Sequence, residues 1–267
     1  MQMPFEHHNM KVEELFIRVD RKNIYVKKII PKYSDDKPTI ILLHDALGSV
    51  AQWRDFPDML AKKLGNPVIC YDRPGYGLSA TGEGYLWPGY FEKQAFGVLP
   101  DLMKQVGINV PCILLGHSDG GTIALLFASK FRVKAIISIA AHVMVEKVTS
   151  KGVSETARNR AGIVAKLEKY HGDRAAGIFD TWVDIWTSDE MESWNILPEL
   201  QRIHNPVLVI QGKDDQYATA LHPKMIMERV GAHQECLLME NCGHFPHRES
   251  PAEVMDGIKS FLIRHAV

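Results

Sequence analysis

Ser118 lies in Gly116-His117-Ser118-Asp119-Gly120, a G-x-S-x-G pentapeptide between an apolar run, Pro111 to Leu115, and a helix-like run, Gly121 to Ala128. A strand that turns at once into a helix forces the residue between them into a strained conformation. It also needs small neighbours two positions either side so that the backbones can approach. That geometry lifts the hydroxyl clear of the sheet, and the helix that follows points amides toward an anion. The chemistry suggested is attack by an activated serine. Alone, the pentapeptide would equally suit an ordinary glycine turn; the strand before and the helix after give it weight.

A serine nucleophile needs a base, and the base needs a group to orient it and offset its positive charge. Among twelve histidines, His244 follows the last strand-like run, in Asn241-Cys242-Gly243-His244-Phe245-Pro246, and precedes the final helical pattern. His117 is too close in sequence to fold back on its neighbour's hydroxyl, His222 falls in or beside a predicted helix, and His247 is a near alternative. For the acid, Gln211-Gly212-Lys213-Asp214-Asp215 also follows an apolar run. Asp215, deeper in that loop, is the expected partner, and Asp214 reads as a turn residue.

The elements that must carry these residues are legible as apolar runs. Glu14–Val19 and Asn23–Ile30, separated by Asp20-Arg21-Lys22, predict a β-hairpin at a sheet edge. Thr39–Leu43, Pro67–Tyr71, Pro111–Leu115, Val133–Ala140, Pro206–Ile210 and Gln234–Met239 are short runs without two-residue alternation. Such runs predict strands buried on both faces, hence a parallel sheet. Helical patterns at Phe91–Val106, Ala220–Val230 and Pro251–Ile263 lie between or after them. The alternation predicts an α/β, doubly wound, mostly parallel eight-stranded sheet, with chemistry at the carboxyl ends of its strands. From about Met144 to Gln201 no strand-like run occurs, and the stretch carries Trp182, Trp186, Trp194 and Phe179. It predicts a helical lid at 144–201, inserted after the sixth strand, on a core domain of 1–143 and 202–267. Its tryptophans either line a pocket or fasten the lid to the body.

Composition narrows the rest. The 267 residues are 46% hydrophobic and 24% charged, with a formal net charge of −1. No excess of positive charge suggests nucleic acid or anionic lipid. The first eight residues lack the layout of a secretion signal, and no apolar run approaches the ~20 residues that span a bilayer. A soluble, cytoplasmic protein is expected. Cys70, Cys112 and Cys236 sit in apolar runs and are expected to act as small hydrophobes, and Cys242 has no CxxC partner. His7-His8 and His244-x-x-His247 lack a third ligand at zinc spacing, so no metal is expected.

Taken together, these residues give the chain a likeness to a known family. It resembles the α/β-hydrolase fold superfamily from about Phe16 to Phe261. The resemblance is carried by His44-Asp45-Ala46-Leu47-Gly48-Ser49, Tyr71-Asp72-Arg73-Pro74-Gly75-Tyr76-Gly77-Leu78-Ser79, the Ser118 pentapeptide, Gly212–Asp215 and Gly243-His244. The order Ser118, Asp215, His244 is also the one seen in such enzymes. The resemblance implies a triad of those residues, with an oxyanion hole formed by the backbone amides of Ala46 and Asp119. It implies a serine hydrolase that needs no cofactor, acting on a small-molecule carboxylic ester. A carbon–carbon bond hydrolase of vinylogous diketones, a thioesterase or cofactor-free haloperoxidase-like enzyme, and a triad-retaining ligand receptor or non-catalytic binding protein are the alternatives. A serine where dehalogenases and epoxide hydrolases carry aspartate argues against their alkyl-enzyme route. Asp45 departs from the family, which usually has glycine there. Its carboxylate would oppose an oxyanion, so it is expected to turn away onto local backbone or Arg73, the alternative being to order a water or substrate group. Asp45, Tyr76, Trp182 and Trp186 are the candidate pocket residues. Oligomeric state is not legible.

Overall fold

The structure, a computed structural model, describes residues 10–81, 88–109, 111–231 and 233–267. The amino-terminal segment with His7-His8 therefore lies outside the described residues. Eight strands form one sheet: β1 (Met10–Val19), β2 (Lys22–Pro31), β3 (Ile40–Leu43), β4 (Val68–Tyr71), β5 (Ile113–His117), β6 (Ala135–Ile139), β7 (Val207–Gly212) and β8 (Gln234–Met239). Their order across the sheet is β1-β2-β4-β3-β5-β6-β7-β8. The first two make an antiparallel hairpin, β2 pairs antiparallel with β4, and every other pairing is parallel. Asp20 and Arg21 at the hairpin turn both have positive φ, 45° and 62°, the backbone sense that suits the right-handed twist of the strands it joins.

Strand side chains alternate between two apolar clusters. Ile41, Leu43, Leu114, Ile136 and Val209 enter one; Ile40, Leu42, Ile113, Leu115 and Ile210 enter the other. Period-two geometry sends neighbours to opposite faces, so an unbroken apolar run requires cover on both. The helices Leu99–Gln105 and Asp119–Ala128 supply it on one side, and Phe56–Leu64 with Pro251–Arg264 on the other. Each fully buried Leu or Ile contributes about 1.5–3 kcal/mol to this arrangement.

Two expectations need correction. The last run, β8, is partly exposed along most of its length, because it ends the sheet order and only one neighbour flanks it. Cys236 on that strand is accordingly exposed rather than buried.

Between β6 and β7 the chain leaves the sheet and forms the helices Lys147–Ala157, Arg160–His171, Ala175–Trp186, Asp189–Glu192 and Leu197–Leu200. The excursion is pinned where it leaves and returns, by a bridge between Met144 and Asn195 and by Ile196 N–H donating to the Val143 carbonyl at 2.9 Å. Farther out, Arg174 donates to the carbonyls of Gly75 and Ser79, each at 3.0 Å, and to that of Gly77. His171 accepts from Gly77 N–H at 3.0 Å and donates to the Leu47 carbonyl at 2.9 Å. No helix among the described residues is long and apolar enough to cross a membrane.

Candidate active site

Ser118 follows β5 directly and has φ 53° and ψ −119°, a left-handed geometry that costs a non-glycine residue of order 1–3 kcal/mol. The surroundings impose it. A Cβ on Gly116 would lie 2.0 Å from the Gly120 carbonyl oxygen, and one on Gly120 would lie 2.0 Å from that of Leu43. Neither backbone position admits a side chain. Ser118 N–H donates to the Ile139 carbonyl at 2.8 Å, fixing the turn to β6.

His244 arrives from the loop after β8. Its Nε2 lies 3.0 Å from Ser118 Oγ, and its Nδ1 lies 2.7 Å from Asp215 Oδ2. Asp215, on the loop after β7, also accepts from Gln211 Nε2 at 2.7 Å and from Tyr217 N–H at 2.8 Å. Burial alone would raise its pKa; the charge and hydrogen bond of His244, with the Tyr217 amide, outweigh that and bring it down to about 2. The ionised acid accepts, so Nδ1 carries the proton and Nε2 is free to take one from the serine. Glycine is again required where two of these loops meet, since a Cβ on Gly212 would lie 2.2 Å from the Cys242 and Gly243 carbonyl oxygens. His117 Nε2–H donates instead to the His244 carbonyl, at 2.7 Å.

Residues 40–256 match the sequence model of the alpha/beta hydrolase family. The chain belongs to that family. Relatives of this hydrolase include the mouse sn-1-specific diacylglycerol lipase ABHD11, 22% identical over 84% of this chain and 81% of that protein. Another is a proline iminopeptidase of Lactobacillus helveticus, 22% identical over 86% and 91%. Among solved structures, a bacterial membrane phospholipase A described as a virulence factor superposes with a TM-score of 0.77 at 21% identity, over 96% of this chain and 87% of that one. The eight-stranded sheet with its mostly parallel pairing is thus the family's fold.

A cavity of about 60 Å³ opens at the hydrolase's serine. Ser118, His244, Ala46 and Asp119 line it, with walls of Leu47, Val153, Trp182, Trp186, Tyr217 and Phe245. Trp182 and Trp186 therefore face the site, whereas Trp194 packs its ring 4.9 Å from Phe91 and 6.0 Å from Trp186. Tyr76 is not part of this wall. It is buried between His44, at 5.3 Å, and Arg73, at 5.0 Å.

Asp45 is among the residues that line the cavity, and its backbone is not left-handed, so no glycine-like conformation is needed there. Its bond to Arg73 runs through the carbonyl oxygen, at 2.6 Å from Nη2, while carboxylate Oδ1 sits 3.8 Å from His117 Nδ1. Burial would push this carboxyl up, yet His117, Arg248 and His44 hold it well below the usual carboxylate range.

Sequence reasoning missed Tyr217 and His142. Tyr217 sets its ring 4.9 Å from that of His244 and its hydroxyl 2.7 Å from Thr156 Oγ1. His142, just past the end of β6, donates from Nε2 to the Tyr217 carbonyl at 3.2 Å. Burial, reinforced by neighbouring imidazoles, brings His142 down to about 3, so it is neutral near pH 7. The available signal was position: both follow strand ends, as the three candidates do.

Proposed function

We propose that this hydrolase cleaves a carboxylic ester of a small or medium-sized molecule through an acyl-enzyme on Ser118. The observation that carries the reading is the unbroken chain from Asp215 through His244 to Ser118, at 2.7 and 3.0 Å, on the wall of an apolar, aromatic cavity. As Ser118 Oγ attacks the ester carbonyl carbon, His244 Nε2 takes the hydroxyl proton and Asp215 stabilises the imidazolium that forms. The carbonyl oxygen, now negative, is received by the amides of Ala46 and Asp119. Collapse expels the alcohol with the proton from His244. Water, deprotonated by the same imidazole, then frees the acid and regenerates the serine.

Residues 144–201 act as the lid in this reading, with 1–143 and 202–267 as the core. Trp182 and Trp186 come from the lid and limit the acyl group, and a cavity of about 60 Å³ favours a short one. An amide, a thioester or a vinylogous diketone would meet the same three side chains, so bond type is a question of rates. The protein is assayed against esters of graded acyl length alongside thioesters, aminoacyl amides and ring-fission diketones. Short esters are expected to turn over fastest, and a fluorophosphonate to add one label at Ser118. Ser118→Ala should lower turnover by roughly 10⁵- to 10⁶-fold with the fold intact. Label elsewhere, or turnover in the alanine variant, sinks the proposal; stoichiometric retention of ligand without turnover favours a receptor.

A further inference from the structure

Arg73 has no solvent-exposed side-chain surface, and burying a guanidinium costs several kcal/mol unless its surroundings compensate. Its surroundings are the two segments that carry the proposed oxyanion donors. Nη2 donates to the Asp45 carbonyl at 2.6 Å; Nη1 lies 3.9 Å from Asp119 Oδ2, a carboxylate that is itself buried. The rings of Tyr76 and Tyr90 lie 5.0 and 5.7 Å from its guanidinium carbon.

The Asp45 carbonyl and the Ala46 N–H belong to one peptide plane, so they point in opposite directions across a rigid unit. Whatever grips the oxygen aims the hydrogen. Three donors grip it: Arg73 Nη2–H at 2.6 Å, His44 Nδ1–H at 2.8 Å and Gly48 N–H at 3.0 Å. Arg73 acts on the second of these as well. Its backbone N–H donates to His44 Nε2 at 3.1 Å, which places the imidazole proton on Nδ1, facing the carbonyl. Donors drawing electron density toward the oxygen also strengthen the N–H on the far side of the same amide, since hydrogen bonds in series polarise one another.

We infer that Arg73 is a positioning residue for the oxyanion hole, holding the 45–46 peptide by its carbonyl so that the Ala46 amide meets the negative oxygen of the transition state. The inference rests on the acyl-enzyme reading above. It makes Arg73 act when charge develops and leave ground-state binding alone.

The test compares Arg73→Met and Arg73→Lys with the unaltered protein, using the ester turned over fastest. Two inhibitors of matched shape are added: a trifluoromethyl ketone, which forms a charged hemiketal on a serine, and the corresponding secondary alcohol, which cannot. Arg73→Met should lower kcat by roughly 10- to 100-fold with KM within about threefold, less than the loss of a whole oxyanion donor. It should weaken the ketone by a similar factor and leave the alcohol unchanged. Lysine should recover part of both losses, as a charge without the planar fork. Equal weakening of ketone and alcohol in either variant, or an unchanged kcat in Arg73→Met, overturns the inference. If Arg73→Met does not fold, Arg73→Lys and His44→Ala carry the same comparison, each expected to weaken the ketone selectively. Absence of Ser118-dependent turnover in the unaltered protein would instead defeat the acyl-enzyme reading.

Discussion

The turn around Ser118 and the helices between β6 and β7 face the same cavity, yet different forces hold them. At the turn, backbone sterics leave no choice: Gly116 and Gly120 have main-chain oxygens 2.0 Å from where a Cβ would stand, and Ser118 is held at φ 53°. The inserted helices are held by side chains reaching for backbone as well as by main chain, at the Met144–Asn195 bridge and at Gly152, where a Cβ would lie 2.3 Å from the Gln216 carbonyl oxygen. Arg174 and His171 clasp the loops after β3 and β4, and Tyr217 ties Thr149 and Thr156 to the acid's loop. Atoms that react are fixed by what cannot move. Several of the contacts that seat the pocket-shaping helices can be removed by one substitution, so specificity can change here without loss of the fold.

The sharpest way to break this contrast is Asp215→Asn. It keeps the shape of the site but offers an amide where His244 Nδ1 needs an acceptor, and turnover should fall about 10⁴-fold, measured as kcat on the preferred ester. Its stability counterpart follows from the lowered pKa, about 2. That contribution is present above the ordinary carboxylate value, about 3.9, and is lost as pH falls toward 2. The unaltered protein should therefore lose stability over that window relative to the asparagine variant, as read by denaturant midpoints. A gap that stays constant from pH 5 to 2.5 would remove Asp215 from the charged network.

Next in size is Gly120→Ala. With a backbone oxygen 2.0 Å from the new carbon, β3 and the turn must part, and a loss of about 3 kcal/mol or more is expected from overpacking and strain. Urea denaturation measures it, and a loss below 1 kcal/mol would show that the turn is less constrained than its geometry states. Smaller again is Arg174→Met. It removes donors to three partly buried carbonyls and should cost about 1–3 kcal/mol, with kcat for the shortest ester within about twofold. Acyl-length preference should shift, because the helix carrying Trp182 and Trp186 is less firmly seated. Loss of kcat on every ester alike would erase the distinction between the two regions.

The sequence announced the rigid region more fully than the adjustable one. Strand runs at Ile40, Ile113 and Val207 are apolar because both faces of a central strand are covered, a requirement written into consecutive residues. The same rule pointed to Ser118, Asp215 and His244, since loops after such strands share one rim. Where cover is one-sided the rule weakens, as Cys236 on β8 showed. On the inserted helices the pocket walls come as pairs one turn apart, Thr149 with Val153 and Trp182 with Trp186, a spacing that any buried helix face shares. Thr149, Val153 and Trp182 meet the cavity through the packing of one helix on another, and Tyr76 is drawn under the loop by His44 and Arg73. At Asp45 the carboxylate and the carbonyl face different partners, His117 and Arg73, which residue type alone does not separate.

The sheet order carries one more consequence. The nucleophile hangs from β5 in the middle of the sheet, while the base hangs from β8 at its margin, a strand with a neighbour on one side only. Marginal strands open at lower free energy than central ones. On warming, this protein would therefore lose its proton acceptor while most of the sheet endures, so inactivation would come before collapse.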